Sequence, residues 1–432
     1  MSGGRGFGFP DHFALWASLG ASLYLMPFGA LLVPALSIQQ AVLATMVAGL
    51  IGGLLIASIA VIAAASGRST AELLAEPFGE RGRWPAALLL TARHVLFAVF
   101  ALVLIADSAQ LISERALGAG LRPVWVVLFG AAGLALVVAG AERVSAGMRR
   151  AGLWLVLLVA IAVSASAYAE FEIPAYLRRP AAGGWPSFWQ ATDIMLIFPL
   201  LWLPVVADFA RLGRDSRAAA RGSFAGVFVA SVWFGVLGVL YLPATDSGDI
   251  PGFLAGMQLG LGALALLFLL QIDEIYANTF ATVPAFESLG AGARARLAPV
   301  ALFVVAVPAA ALLRVADLEG YVLLAASVFV PAFAVVLSQA LWRAERPAVV
   351  PALAWASGFV LYQWISPAEI GWWRDGLDFL SGAAGLPFPL SDSVTWLGAA
   401  VPAFLLAFTA DSLIAPVSRV LPAQRRTSQA TG

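Results

Sequence analysis

Twelve apolar stretches of about 20 residues, separated by short polar segments, constrain this 432-residue chain more than any other feature. A helix of that length crosses the hydrocarbon core of a bilayer and satisfies its own backbone hydrogen bonds there. With 61% hydrophobic and 12% charged residues, the chain is too apolar for a soluble globular protein. The sequence predicts an all-α integral membrane protein. The stretches begin near Phe13, Gln40, Pro85, Arg122, Gly152, Phe188, Gly222, Leu254, Leu297, Gly320, Ala348 and Thr395.

The arginines alternate between the two sides of the membrane that these spans define. All 25 basic residues are arginines; with the N-terminus in the cytoplasm, 18 lie inside, six lie outside and Arg93 lies within a helix. Cytoplasmic loops carry such an excess of positive charge. We therefore expect a multi-pass protein of the inner (cytoplasmic) membrane with both termini in the cytoplasm. The polar, glycine-rich N-terminus predicts no cleavable signal peptide.

The connecting segments are too short for a soluble domain, so residues 1–432 are expected to form a single transmembrane domain. The link at 69–82 is amphipathic and is predicted to lie as a helix in the cytoplasmic interface. The segment at 366–393, which contains Trp372 and Trp373, is predicted to be interfacial on the outer side.

The run FPLLWLPVVADFARLGR at 198–214 predicts a helix that is broken in mid-membrane. Pro199 and Pro204 lie on either side of Trp202, and each proline removes an amide donor and frees a carbonyl that needs a partner or a cavity. Pro27, in YLMPFG, predicts a similar break 172 positions earlier. Interrupted helices in matching positions indicate the substrate site of a transporter.

Intramembrane charges recur in matching places as well. Arg93 and His94 in the third span correspond to Asp273 and Glu274 in the eighth, about 180 positions later. Because five spans are an odd number, the second copy of such a repeat is inverted in the membrane. The predicted units are residues 13–175 for the first repeat, 186–345 for the inverted second repeat, and 346–420 for two additional helices.

The eighth span carries a polar stripe, formed by Gln271, Glu274, Asn278 and Thr282 at steps of three, four and four. The stripe is either a polar seam between helices or part of a substrate or proton site. The carboxylate favours the second interpretation, because an ionised group in mid-membrane costs at least about 2.5 kcal/mol. Asp273 lies about 100° round the helix from Glu274 and is expected to have different neighbours.

Arg93 has two possible positions. It reaches the cytoplasmic interface if its helix begins late, or lies inside as the counter-ion of Glu274 or Asp273 if the helix begins at Pro85. For His94, a structural role is favoured over a proton carrier.

Aromatic residues beside the breaks are placed to hold a flat heterocycle. Those residues are Tyr24, Phe28, Phe97, Phe198 and Trp202.

Several motifs together suggest a family. The run PLLWLPVVADFARLGR resembles the sixth-helix signature of the nucleobase:cation symporter family (purine/cytosine permease type), in which a proline, a tryptophan, a second proline and an Asp-aromatic-x-Arg sequence close the helix. The chain looks most like the bacterial hydroxymethylpyrimidine permeases. Further support comes from WASLGASLYLMPFGALLVP at 16–34, SGRSTAELLAEPFGERG at 66–82, DEIYANTF at 273–280 and GLPFP at 385–389.

The resemblance implies a five-plus-five inverted repeat of the leucine-transporter type with two C-terminal helices. It also implies import of a nucleobase-like heterocycle (cytosine, hydroxymethylpyrimidine or purine class) by alternating access, coupled to H⁺ or Na⁺. Phe97 falls where the family often has a tryptophan, and Arg93 lies near its usual glutamine, so both are departures from the family pattern. The substrate-binding residues expected are Tyr24, Phe28, Arg93, His94, Phe97, Phe198, Trp202, Gln271, Glu274 and Asn278.

The residues at the expected sodium site are a second departure from the family pattern. Aligned on Tyr276, Leu269 and Leu270 stand where the sodium site of this fold has threonines. We favour a proton, carried through Glu274, while Thr279 and Thr282 offer hydroxyls for sodium under a shifted alignment. The residues expected to act in coupling or gating are Asp273, Glu274, Asp208 and Arg211.

Asp208 and Arg211 close the sixth helix either as a structural pair or as part of an inner gate; the structural pair is favoured.

Other classes of function fit less well. The chain has no HExxH, no paired histidines and no Gly-x-Ser-x-Gly, so we expect no enzyme. We also expect no cofactor, no metal centre and no nucleic-acid partner. The expected partners are a small-molecule substrate and the lipid bilayer, and the oligomeric state is left open. An amino-acid or other small-metabolite carrier of the same fold is the closest alternative, because Arg93 is able to bind an anion.

Overall fold

The computed structural model describes residues 6–22, 25–170, 177–241, 260–342, 346–389 and 396–420. The α-helices in these ranges are, in chain order, α1 (Phe9–Gly20), α2 (Leu25–Ala30), α3 (Ile38–Ser66), α4 (Thr70–Ala75), α5 (Arg83–Leu117), α6 (Arg122–Ala139), α7 (Ala141–Gly147), α8 (Leu153–Glu170), α9 (Phe188–Leu201), α10 (Leu203–Ala210), α11 (Ser216–Tyr241), α12 (Gly260–Glu287), α13 (Ala298–Leu312), α14 (Val315–Trp342), α15 (Val349–Ile365), α16 (Gly371–Ala384) and α17 (Ala400–Val420).

The helices follow the predicted order of spans. The pair α1/α2, the pair α9/α10 and ten single helices match the twelve stretches, and α4, α7 and α16 lie between them. By length and composition, seven helices in the described ranges are able to cross a membrane, or eight with the bent pair α9/α10. The predicted starts at Leu254 and Thr395 lie outside the described residues.

Both predicted interruptions are present, but the first is displaced. The pair α9/α10 bends by 40° around Trp202, between the two prolines, as expected. In the first span, the break lies between Gly20 and Leu25, before Pro27 rather than at it. Pro27 falls in the first turn of α2, where a missing N–H leaves no helical hydrogen bond unmade.

Glycines let α11 pack directly on the backbone of the broken first span. A Cβ built on Gly226 would come closer than 3.0 Å to the Phe13 carbonyl of α1, and one on Gly238 closer than 3.0 Å to the Met26 carbonyl of α2. Such close approach between helices is typical of membrane proteins, where packing rather than the hydrophobic effect holds helices together. Helix α11 therefore fixes the two halves of the first span on either side of its break.

One face of the link at 69–82 packs on the protein, and the other face is exposed. Ser69 caps α4 in a capping box with Glu72, and Thr70, Leu73 and Leu74 are buried. The α4 helix contacts α5, α10, α12 and α14. Protein therefore covers the apolar face that was expected to lie on lipid headgroups, and the end of α10 binds the N-terminus of α4, as described below.

The segment after α15 contains a short helix with a large exposed apolar surface. Helix α16 buries Leu377 and exposes large side chains, namely Trp372, Phe379 and Leu380. An amphipathic helix with exposed aromatic residues fits a position at the edge of a bilayer.

A buried carboxylate joins the broken span to the last helix. Asp193 of α9 accepts hydrogen bonds from three consecutive backbone amides at the start of α17, those of Ala399 (2.8 Å), Ala400 (3.0 Å) and Val401 (2.9 Å). These are N–H groups that the helix itself leaves unpaired. Gly398, with φ of +77°, lies against Asp193 and has no room for a side chain.

The glycine contact between α11 and α2 gives the first prediction. Gly238→Ala should lower the free energy of unfolding by about 1–3 kcal/mol, because the added methyl group collides with backbone rather than with a movable side chain. The melting temperature of the purified protein in detergent reports the change.

Gly376→Ala is the matched control, since Gly376 lies in the exposed part of α16 with open space around it. This variant should be neutral or slightly stabilised. Equal melting temperatures for the two variants would contradict the packing described here.

Candidate functional site

The break between α9 and α10 leaves the Leu201 carbonyl without its helical partner. In a regular helix this carbonyl would accept from the Val205 amide, but that amide donates to the Trp202 carbonyl at 2.9 Å. The Leu201 carbonyl instead accepts a hydrogen bond of 2.5 Å from Nη2 of Arg93. A side chain from α5 therefore satisfies the backbone carbonyl that the break leaves without a helical hydrogen bond.

Arg93 lies in the protein interior, which decides between its two predicted positions. The α5 helix begins at Arg83, and only 3% of the Arg93 surface is exposed. Its Nη1 donates to Oδ1 of Asn278 and lies 3.2 Å from Nδ1 of His94. Its Cζ lies 4.0 Å from the centroid of the Phe97 ring and 5.9 Å from that of Trp202. The guanidinium thus lies on an aromatic face, where a cation is attracted by the ring electrons.

The polar stripe of α12 lies beside this guanidinium. Gln271, Glu274 and Asn278 are all buried. Nε2 of Gln271 lies 3.4 Å from Oε1 of Glu274, and the Asn278 amide donates to the Glu274 carbonyl at 2.8 Å. Ser22, just before the first break, also hydrogen-bonds the Glu274 carboxylate. Thr282 bonds the carbonyl of Thr279 in its own helix.

Arg93 is not the direct counter-ion of either carboxylate. It is close enough to Glu274 for a coulombic interaction, yet it forms no ion pair within 4.0 Å among the described residues. The hydrogen bonds of Arg93 go to neutral acceptors, and those of the Glu274 side chain come from Gln271 and Ser22. Arg93 and Glu274 therefore do not form the expected salt bridge, and each is hydrogen-bonded to neutral groups instead.

Asp273 has a different environment from Glu274. Its carboxylate borders a cavity of about 290 Å³, together with Ser18 of α1, Arg143 and Gly147 of α7, and the start of α8. The Ser18 hydroxyl interacts with this carboxylate, and no basic side chain among the described residues forms an ion pair with it. A buried carboxylate that faces a cavity without a counter-ion is available to bind a proton or a cation.

The remaining aromatic residues predicted for the site lie in different surroundings. Trp202 is buried and packs edge-on against Trp16 of α1, with ring centroids 6.3 Å apart. Phe198 is buried in the hydrophobic core, and Phe28 is half-buried on α2 and packs against that core. Tyr24 lies outside the described residues.

Three residues beside the candidate site were not predicted from the sequence. They are Trp16, Ser18 and Ser22. The two serines lie four residues apart, one helical turn, in an apolar span, and that spacing was the available signal.

The expected pairing of Asp208 with Arg211 is wrong in its partners. Oδ1 of Asp208 accepts from the backbone amide of Thr70, the first residue of α4, at 3.0 Å. Arg211 instead approaches Glu287 at the end of α12, with 3.9 Å between Nη2 and Oε2. A carboxylate is stabilised at a helix N-terminus by unpaired amides, so Asp208 is drawn to α4 rather than to the adjacent arginine. These contacts join the end of α10 to α4 and to the end of α12. We call the face of the bundle on which they lie the arginine-rich face; it carries Arg68, Arg149, Arg211 and Arg294.

No protein-family model matches the chain, and no curated protein sequence matches it at a significant level. Solved structures do match its fold. Mhp1, a nucleobase-cation-symport-1 family transporter, superposes in a closed conformation with bromovinylhydantoin bound at a TM-score of 0.69, with 18% identity over 96% of this chain and 92% of that one. MhsT in complex with L-phenylalanine gives a TM-score of 0.58, with 14% identity over 95% of this chain and 100% of that one. A manganese transporter from Eremococcus coleocola gives 0.53, with 11% identity over 94% of each chain.

The fold is therefore that of the leucine-transporter type: an all-helical integral membrane protein with a five-plus-five inverted repeat and two further helices. The interrupted helix pairs α1/α2 and α9/α10 are a feature that is typical of such transporter folds.

The Asp208 contact gives the second prediction. Asp208→Ala removes the acceptor for the Thr70 amide, so it should lower stability by about 0.5–2 kcal/mol and increase trypsin cleavage after Arg68, Arg81 or Arg83. Melting temperature and mass spectrometry of the limited digest measure the two effects.

Asp208→Asn keeps an oxygen acceptor at this position and serves as the conservative control. It should retain most of the protection of the link. If the link in both variants were cleaved at the wild-type rate, the Asp208–Thr70 contact would not be what holds it.

Proposed function

We propose that the protein is a secondary active transporter of the nucleobase:cation symporter type, which imports a flat, nucleobase-like heterocycle by alternating access. The substrate class is that of cytosine, hydroxymethylpyrimidine or purines, and the hydroxymethylpyrimidine permeases are the subtype that the motifs favour. The protein lies in the inner membrane with both termini in the cytoplasm, so the arginine-rich face is the cytoplasmic one.

The position of the Arg93 guanidinium is the observation that supports a flat substrate. This planar group lies 4.0 Å from the centroid of the Phe97 ring and donates N–H groups to the Leu201 carbonyl and to Asn278. The same aromatic face and acceptors suit a ring that stacks on Phe97 and donates its own N–H groups to the Leu201 carbonyl and Asn278. Nucleobases have that combination of flatness and ring N–H donors.

The solved structures support the same class of function. Mhp1 is described as a nucleobase-cation-symport-1 family transporter and has been solved both closed with bromovinylhydantoin and in an inward-facing conformation. Two conformations of one such fold are what alternating access requires.

Ligand stabilisation gives the third prediction. Cytosine, hydroxymethylpyrimidine or a purine should raise the melting temperature of the purified protein, and Trp202→Ala should remove that shift because it deletes an aromatic ring beside Arg93. Trp372→Ala should keep the shift, since Trp372 is 63% exposed on α16.

The screen should include amino acids and should be repeated with sodium replaced by choline. Stabilisation by amino acids alone would sink the nucleobase proposal. A rise in melting temperature that requires sodium would contradict proton coupling.

For the coupling ion, we favour a proton over sodium, bound at Asp273 or Glu274. Asp273 is the better placed, because its carboxylate has no counter-ion among the described residues and faces a cavity that extends to Arg143 and Gly147. Glu274 is instead hydrogen-bonded to Gln271, beside Asn278 and Arg93. In this proposal Asp273 binds the ion and Glu274 contacts the substrate.

Gradient-driven uptake into proteoliposomes gives the fourth prediction. Asp273→Asn should abolish accumulation driven by an inward proton gradient, because an amide cannot carry the proton, yet should preserve exchange of labelled for unlabelled substrate at equal pH. Glu274→Gln is the contrasting variant and should weaken exchange itself. Unchanged proton-driven accumulation by Asp273→Asn would show that Asp273 is not the coupling group.

Asp208 and Arg211 are proposed to belong to an inner gate. The contacts of Asp208 with Thr70 and of Arg211 with Glu287 join α10 to α4 and α12 at the arginine-rich face. These contacts must break for the site to open on that side.

An amino-acid carrier is the second candidate. The buried cation Arg93 favours it, and MhsT, of similar fold, has been solved with L-phenylalanine.

A further inference from the structure

The charge of Arg93 is matched differently from that of the other well-buried arginine. Arg346, at the start of α15, is paired with Asp411 of α17, and both side chains are fully buried. Arg122, half-buried on α6, is paired with Asp107 at 2.6 Å. Arg93 has no carboxylate within 4.0 Å among the described residues. A buried cation held only by neutral groups has a capacity for an anion that the protein does not itself supply.

Two buried nitrogens beside this site lack a hydrogen-bond partner among the described residues. They are Nε of Arg93 and Nε2 of His94. Nε of an arginine is always a donor, whereas a neutral histidine carries its ring proton on either nitrogen. Buried donors are normally satisfied, so the unsatisfied Nε of Arg93 at a candidate site points to a ligand that carries acceptors.

The present partners of Arg93 are exchangeable. The Leu201 carbonyl and the Asn278 amide oxygen are neutral acceptors that ring N–H groups satisfy equally well. If a substrate supplies those N–H groups, the guanidinium is released to pair with an acidic substituent. A guanidinium binds a carboxylate through two parallel N–H donors, which is stronger than its hydrogen bonds to neutral oxygens.

We propose that Arg93 selects an anionic heterocycle: a planar ring that donates N–H groups to Leu201 and Asn278 and carries a carboxylate, or an equivalent ionised oxygen, that pairs with the guanidinium. This rests on the proposed function and narrows its substrate class. Neutral nucleobases are then the weaker ligands, because they bring no carboxylate into hydrogen-bonding distance of the guanidinium.

Uracil and its carboxylated counterpart, orotate, test this directly because they share one ring. Equilibrium binding of each radiolabelled compound is measured on the purified full-length protein in nanodiscs. Wild type should bind orotate at least about tenfold more tightly than uracil. Arg93→Gln should lose this preference while still binding uracil, and Arg93→Lys, which keeps the charge, should retain part of it.

Arg122→Gln is the matched control, since it removes a paired arginine at another site and should leave the ratio unchanged. The wild-type ratio does not depend on whether any variant folds. Wild type that binds uracil as tightly as orotate would overturn the anion proposal and leave the proposed function standing. Wild type that binds neither these rings nor the neutral bases and purines, but binds amino acids, would overturn both. Arg93→Gln that keeps the wild-type preference for orotate would show that another group reads the charge.

Discussion

The requirement that every backbone polar group find a partner inside the hydrocarbon core governs this structure. Most carbonyls meet it within their own helices. The Leu201 carbonyl does not, because Pro199 and Pro204 bend the span at Trp202 and Val205 bonds elsewhere. The partner it finds is Arg93, a side chain from a different helix. The hydrogen bond from Arg93 thus satisfies the carbonyl that the break leaves unpaired, and it places a guanidinium at the centre of the candidate site.

The rest of the site follows from the position of that charge. Phe97 offers its face and Asn278 its oxygen, His94 lies beside the guanidinium, and Glu274 is hydrogen-bonded to Gln271 and Ser22. The two adjacent acids of α12 therefore differ in surroundings: Glu274 belongs to a network of hydrogen bonds around Arg93, and Asp273, beside Ser18, faces a cavity. This separation is the physical basis for assigning substrate and ion to different sides of one helix.

The fold was largely predictable from sequence, because length, apolar content and proline placement act locally. The break at Trp202, the helix order and the buried position of the α12 stripe all followed from such local rules. Three features did not. The first break lies before Pro27, since a proline in a first turn is harmless, and the apolar face of the link at 69–82 is covered by protein, with Asp208 bound to its N-terminus. The charge of Arg93 is met by neutral groups rather than by Glu274. The last two depend on contacts between residues more than 100 positions apart, which no local pattern encodes.

The carboxylate of Asp193 has a mechanical consequence. It holds three amides of α17 at once, so α9 and the last helix are joined at a single point by bonds that share one acceptor group. Sliding α9 past α17 would break all three together, whereas rotating both helices as a unit about that point breaks none. The last helix is thus coupled to the broken span, and it limits the directions in which α9 is able to tilt.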